Sequence, residues 1–140
     1  MTKKNDYSRS DWNAIVSAPM LIAAGVASAD GGFLSTAPEM ESLQKFLAES
    51  KTKYQGHDEF LFLVLSDIKK DWRDDWVKLK QVIAVIDEKV PANEARNYKV
   101  FLYEAGVKVA EACTEGWFGS DPISKKEVIY LEKLKRLLNI

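Results

Sequence analysis

One unit occurs twice in this chain, and it constrains the fold more than any other feature. Each copy has an apolar helix rich in small residues, then an acidic residue followed by glycine, then a helix start with a hydroxyl residue and a glutamate. The copies cover residues 27–39 and 110–127. The shared positions are Asp30-Gly31, Thr36 and Glu39 in the first copy and Glu115-Gly116, Ser124 and Glu127 in the second. A repeated helix–loop–helix predicts a single all-helical domain built from two related halves.

The spacing of the apolar residues elsewhere is helical as well. Apolar side chains recur three and four positions apart, and no alternating strand pattern lasts more than four positions. A chain of 140 residues with 46% apolar residues is of the size of one domain and can fill one core. We therefore expect an all-α, single-domain bundle of about six to seven helices with two pseudo-repeated helix–loop–helix halves. It should cover residues 11–140 and follow a flexible N-terminus, residues 1–10.

Several helix boundaries can be predicted from capping and helix-breaking residues. Ser10 is expected to cap the first helix. Pro19 should break or kink this helix just before the proline, because it disfavours the helical conformation of the preceding residue. Residues 51–56 are polar and are predicted to link two helices. Residues 72–90 carry a stripe of apolar residues that predicts one helix beginning with Trp72, and Asn93 is expected to cap the helix that follows.

The carboxylates of the repeated unit are candidate metal ligands. If the two halves pack alike, Asp30 and Glu39 of the first copy approach Glu115 and Glu127 of the second. Oxygen ligands from both copies would suit Ca²⁺ or Mg²⁺, or Zn²⁺ with water completing its shell. A structural interpretation stays open beside this one, because Asp-Gly is ordinary turn chemistry and a hydroxyl residue followed three positions later by glutamate is a capping box.

Other functions find less support in the sequence. Twenty basic and 21 acidic residues give a net charge of -1, without the basic surplus of a dedicated nucleic-acid binder. The only histidine, His57, lies in an acidic helix start, and it would have to serve any Ser-His-Asp triad or zinc site. Trp72 and Trp76 are expected in the core rather than stacked on nucleic acid. No apolar run approaches the roughly 20 residues of a transmembrane helix, although residues 19–29 imitate a short secretion signal.

The two acidic-glycine turns give the chain a family resemblance. Val26-Ala27-Ser28-Ala29-Asp30-Gly31 with Glu39 resembles the pattern of the tellurite-resistance TerB-like family, in which an apolar helix ends in Ala-x-Asp-Gly and precedes a glutamate-bearing helix. The second copy departs from the pattern, since Glu115 stands where aspartate is usual and the loop before Glu127 is longer. The resemblance covers about residues 11–140.

The resemblance implies a bacterial, cytoplasmic protein of the response to tellurite and related stresses. It also implies an all-helical bundle with a paired acidic surface suspected of binding metal, and partners among other proteins, including a stress-response complex at the inner face of the membrane. We therefore expect a non-enzymatic interaction module with a divalent-cation site. A purely structural protein-binding module without metal is the alternative, and a metal-dependent hydrolase is less favoured because metal-bound water needs a base within reach.

Overall fold

The part of the chain that the structure describes is a bundle of six α-helices. A computed structural model describes residues 4–29, 37–70, 72–113 and 125–140, and within these ranges it contains no β-strand. A short 3₁₀ turn, Lys4–Asp6, precedes the first helix. The helices are α1 (Arg9–Ala29), α2 (Ala37–Tyr54), α3 (Glu59–Ser66), α4 (Trp76–Lys89), α5 (Ala92–Cys113) and α6 (Lys125–Leu138). The predicted all-α class and helix number are confirmed.

Helix α1 is the central helix of the bundle. All residues from Ile15 to Ala27 are buried, and α1 packs against α3, α4, α5 and α6. A helix that is apolar on every side is typical of a buried position. By length and composition α1 would also reach across a membrane, but 78% of this apolar stretch is buried inside the protein.

The direction of the helices follows from their contacts. Ile15 of α1 lies beside Tyr98 of α5, and Ile22 lies beside Gly106, so α1 and α5 run parallel. Helix α2 is antiparallel to α5, because Phe46 stacks on Phe101 and the turn after α2 contacts Asn97. Helix α6 is also antiparallel to α5. Leu131 and Leu134 lie at Gly106, and the chain end at Ile140 reaches Ala95 and Arg96.

The predicted break at Pro19 is wrong, since α1 continues through the proline from Arg9 to Ala29. Proline has no N–H to donate to the carbonyl four residues earlier, which here belongs to Ile15. The hydroxyl of Tyr98 on α5 donates to this carbonyl at 2.7 Å. The next carbonyl, of Val16, accepts from the backbone N–H of Lys69 at 3.0 Å. The hydroxyl of Tyr98 therefore replaces the donor that the proline lacks, which the local sequence does not reveal.

The role of Tyr98 can be tested by a double-mutant cycle with Pro19. Tyr98 is fully buried, and burial raises the pKa of its hydroxyl, so it stays a neutral donor. Tyr98→Phe should reduce the free energy of unfolding by about 1–3 kcal/mol, because a buried carbonyl loses its donor. In a Pro19→Ala background the new N–H can serve Ile15, and we expect the same change to cost less than about 1 kcal/mol.

Urea unfolding of the four proteins measures this coupling. Tyr103→Phe, at a half-buried tyrosine of the same helix, is the matched control and should change stability by no more than about 0.5 kcal/mol. Equal costs of Tyr98→Phe in the two backgrounds would contradict the compensation.

The folded part of the chain begins before residue 11, the start indicated by the sequence. Tyr7 is buried and its ring lies 5.8 Å from that of Trp12. Lys4 forms an ion pair with Asp67 at 2.7 Å. The cap of α1 is Ser8 and not Ser10, because the Ser8 hydroxyl accepts the backbone N–H of Asp11 at 3.0 Å. The preceding polar residues therefore contribute to both the helix start and the core.

Three other boundaries differ from the predicted ones. Helix α2 continues to Tyr54, so most of the expected polar link is helical. Helix α4 begins at Trp76 and leaves Trp72 outside, because the Asp75 carboxylate caps the helix by accepting the N–H of Lys78 at 3.0 Å. Helix α5 already begins at Ala92, so Asn93 lies in its first turn and is not its cap.

Candidate functional site

The candidate metal ligands are described only in part. Asp30 and Glu115 lie outside the described residues, and of Glu39 only the backbone, in the first turn of α2, is described. Glu127 is described completely: it lies in the first turn of α6 and is fully buried. The structure therefore leaves the grouping of the four carboxylates untested.

Four helices precede or follow residues 30–36 and 114–124, the two acidic loops of the repeated unit. All four have one terminus at the same end of the bundle. Ile22 and Gly106 mark one level in the parallel helices α1 and α5, and seven residues follow this level in each, to Ala29 and Cys113. Seven helical residues rise about 10 Å, so the two helices reach about the same height. The antiparallel helices α2 and α6 begin at this end, which we call the acidic end. Residues 30–36 and 114–124, which lie between these helices in the sequence, are outside the described residues.

Close packing fixes α6 against the parallel pair. A methyl group added at Gly106 would lie 3.1 Å from Leu131 Cδ2 and 3.2 Å from Ile22 Cγ2. One added at Gly25 would overlap the hydroxyl of Tyr130. Both glycines therefore permit α6 to approach α1 and α5 closely. Because α6 is held in this way, the position of Glu127 at the acidic end is determined by the core.

A buried glutamate at a helix start has a specific electrostatic setting. Burying a carboxylate is costly unless hydrogen bonds or a cation compensate. The first turn of a helix favours negative charge through its unpaired N–H groups and its dipole. Glu127 therefore suits either of the two interpretations that the sequence leaves open, the capping box or a cation ligand.

The described residues hold no other candidate metal centre. Within 4–29, 37–70, 72–113 and 125–140, no three His, Cys, Asp or Glu side chains are grouped as metal ligands would be. His57 is exposed in the turn between α2 and α3. The side chain of the single cysteine, Cys113, lies outside the description.

The tryptophans near α4 have structural contacts. Trp76 packs edge-on against Tyr130 of α6, with ring centroids 5.7 Å apart, and Lys133 Nζ lies 4.1 Å from the Trp76 ring. Burial, together with the nearby charge of Asp74, raises the pKa of the Tyr130 hydroxyl. Both Trp72 and Trp76 are half-buried rather than fully buried in the core.

Ion pairs join the N-terminal part of the chain to distant elements. Lys4 and the Trp12 indole N–H, which donates at 3.0 Å, hold the pKa of Asp67 below its usual value. Lys89 of α4 similarly lowers the pKa of Asp11 on α1. These carboxylates therefore stay charged at neutral pH and link neighbouring elements.

A surface groove beside α2 is a feature that the sequence analysis missed. Its volume is about 550 Å³. Met20 of α1 lies at its base, and the residues lining its walls are Met40, Gln44, Leu47, Ala48, Lys51, Leu65, Ile68, Lys70 and Trp72. A sequence signal existed, because Gln44, Leu47, Ala48 and Lys51 have the spacing of one helix face, next to the core face of Leu43 and Phe46.

Comparison of the chain with protein-family models, with curated proteins and with solved structures returned no match in any of the three searches. The geometry of the described residues and the sequence resemblance are therefore the basis for a functional proposal.

Proposed function

We propose that the protein is a non-enzymatic, TerB-like interaction module of a bacterial stress response, and that its two acidic loops together hold a divalent cation. The observation that supports this most is the parallel course of α1 and α5. This course brings the starting points of both acidic loops to the acidic end. Antiparallel helices would have separated them by the length of the bundle.

The proposed ligands are the carboxylates of Asp30, Glu39, Glu115 and Glu127. Glu39 and Glu127 hold equivalent places in the first turns of α2 and α6, and both helices begin at the acidic end. Hard cations such as Ca²⁺ and Mg²⁺ prefer carboxylate oxygens, and Zn²⁺ also accepts them. The burial of Glu127 favours a site partly shielded from water, where a cation would interact more strongly with the carboxylates.

The proposed partners are other proteins, at the cytoplasmic face of the inner membrane. This part of the proposal comes from the resemblance of the acidic turns to the TerB-like family. A bound cation would order the two loops and present one surface to such a partner. Holding a cation and a protein requires no catalytic base, so the proposal includes no reaction.

Isothermal titration with Ca²⁺, Mg²⁺ and Zn²⁺ tests the cation site. We expect one cation per chain, with binding weakened at least tenfold by Asp30→Asn and by Glu115→Gln, one variant from each loop. A tenfold loss corresponds to about 1.4 kcal/mol. The matched control is Glu49→Gln, on an exposed glutamate of α2, which should leave the titration unchanged. Absence of heat in the parent protein, or equal binding by the loop variants and the control, would contradict the cation site.

The metal-free module is the alternative, and the capping-box pattern of both units favours it. In that case Thr36→Ala and Ser124→Ala should each cost about 1 kcal/mol of stability through loss of a helix cap. Thermal unfolding would then be the same with EDTA and with added Ca²⁺. A melting temperature that rises with cation concentration supports the cation site, since a ligand of the folded state stabilises it.

A further inference from the structure

The groove beside α2 has the composition of a site for an amphiphile. Of its ten described lining residues, seven are apolar: Met20, Met40, Leu47, Ala48, Leu65, Ile68 and Trp72. The others are Gln44 and two lysines, Lys51 and Lys70. Small-molecule sites commonly have volumes of about 300–1,000 Å³ and apolar walls with a few polar groups. The volume of about 550 Å³ lies within this range.

The two walls differ in origin, and both include apolar side chains that pack against the core and remain partly exposed. One wall is a face of α2 from Met40 to Lys51, which is about 16 Å long at the rise of a helix. The other wall comes from Leu65 at the end of α3 and from Ile68, Lys70 and Trp72 before α4. Leu47, Ile68 and Trp72 are only half-buried. Methionines at the base and at one end allow such a groove to adapt to a flexible chain.

The charged residues of the lining favour a ligand with an anionic head group. Among the lining residues that the structure describes, two are lysines and none is acidic, although the chain as a whole has a net charge of -1. Asp67, the acidic residue just before Ile68, is held elsewhere by Lys4 and by the indole of Trp12. An anion at the lysines would therefore be attracted, and a cation would be repelled.

We propose that this groove binds a medium-chain fatty acid. The alkyl chain lies along the apolar walls, and Lys51 and Lys70 supply the positive charge that attracts the carboxylate. The α2 wall is comparable in length to an extended dodecanoate chain, and a volume of this size suits one such molecule better than a folded partner. This site goes beyond the proposed function and does not depend on a cation at the acidic end.

Titration with dodecanoate, kept below its micellar concentration, tests the site. We expect saturable binding of one dodecanoate per chain. Dodecyltrimethylammonium has the same chain with a cationic head, and it should bind at least tenfold more weakly. Each of Lys51→Met and Lys70→Met should weaken dodecanoate binding about two- to fivefold, the effect of one exposed ion pair. Lys53→Met, on an exposed lysine of α2 outside the groove, should leave it unchanged.

A substitution that fills the groove tests whether dodecanoate binds there or at another place on the protein. Ala48 is exposed in the middle of the α2 wall, so Ala48→Phe should leave the core intact and reduce dodecanoate binding at least tenfold. Ala84→Phe, at an exposed alanine of α4, is its control. Circular dichroism verifies that both variants are folded.

Four outcomes would overturn the proposal. They are no saturable binding of dodecanoate, equal binding of the cationic amphiphile, undiminished binding by Ala48→Phe, and self-association through the groove. Sedimentation identifies the last one, as a dimer formed by the parent protein and not by Ala48→Phe, and it would assign the groove to a second copy of the chain.

Discussion

Replacing Phe60 by alanine should destabilise the protein by about 3–5 kcal/mol, the usual cost of removing a fully buried phenylalanine ring. Phe60 of α3 has no exposed surface, and its ring centroid lies 5.9 Å from Tyr7, 6.3 Å from Trp12 and 5.7 Å from Tyr98. These rings come from the N-terminal segment, α1 and α5. The cavity would therefore weaken the contacts of three parts of the chain at once.

Urea unfolding followed by circular dichroism measures this loss. Phe62→Ala is the matched control, since Phe62 is on the same helix but half-buried, with Lys51 Nζ 5.7 Å from its ring. We expect about 1 kcal/mol for Phe62→Ala, in proportion to its smaller buried area. If Phe60→Ala costs no more than Phe62→Ala, the aromatic cluster is not the centre of this part of the core.

Replacing Asp58 by alanine should cost about 2–4 kcal/mol, because one buried carboxylate has two roles. Asp58 caps α3 by accepting the N–H of Leu61 at 2.9 Å. Its other oxygen accepts the side-chain N–H of Asn97 on α5, also at 2.9 Å. The substitution removes a helix cap and also leaves a polar partner on α5 without its acceptor.

Asp75→Ala separates these two effects. Asp75 caps α4 with the same geometry but is half-buried, so its loss should cost only about 1 kcal/mol, the usual value of a cap. Asn97→Ala removes the other contact alone, and in that background Asp58→Ala should cost less than in the parent protein. Equal losses for Asp58→Ala and Asp75→Ala would show that the bond to Asn97 contributes nothing to stability.

The helical class could be predicted because it depends on periodicity, which is local. The stripe of α4 with Leu79, Ile83 and Ile86 and that of α5 with Tyr98 and Leu102 are buried as their spacing indicates. Such spacing determines which face of a helix is apolar. It contains no information about which other helix covers that face.

The errors arose where a distant group decides a local structure. Pro19 predicted a break, but the hydroxyl of Tyr98 serves the carbonyl of Ile15 that the proline leaves without its usual donor. Two expected caps were also wrong: Ser8, two positions before Ser10, caps α1, and Asn93 lies inside the first turn of α5, which begins at Ala92. A periodic pattern predicts that a helix exists better than it predicts the residue at which the helix begins.

The two candidate sites also differ in how much of each can be seen in the local sequence. Spacing identified the carboxylates of the repeated unit, although it could not determine whether they meet. The groove needs two walls from different parts of the chain, one from α2 and one that includes Leu65, Ile68 and Trp72. Only the fold brings these walls together. The sequence pattern of α2 alone therefore indicated an ordinary exposed helix face and no groove.

The most direct test of the proposed function is an anomalous difference map from crystals soaked in CaCl₂. A cation shared by the two acidic loops predicts one strong peak at the acidic end, with carboxylate oxygens from residues 30–39 and from residues 115–127 at roughly 2.3–2.6 Å. No peak there, or a peak bound by only one of the two loops, would contradict the shared cation site.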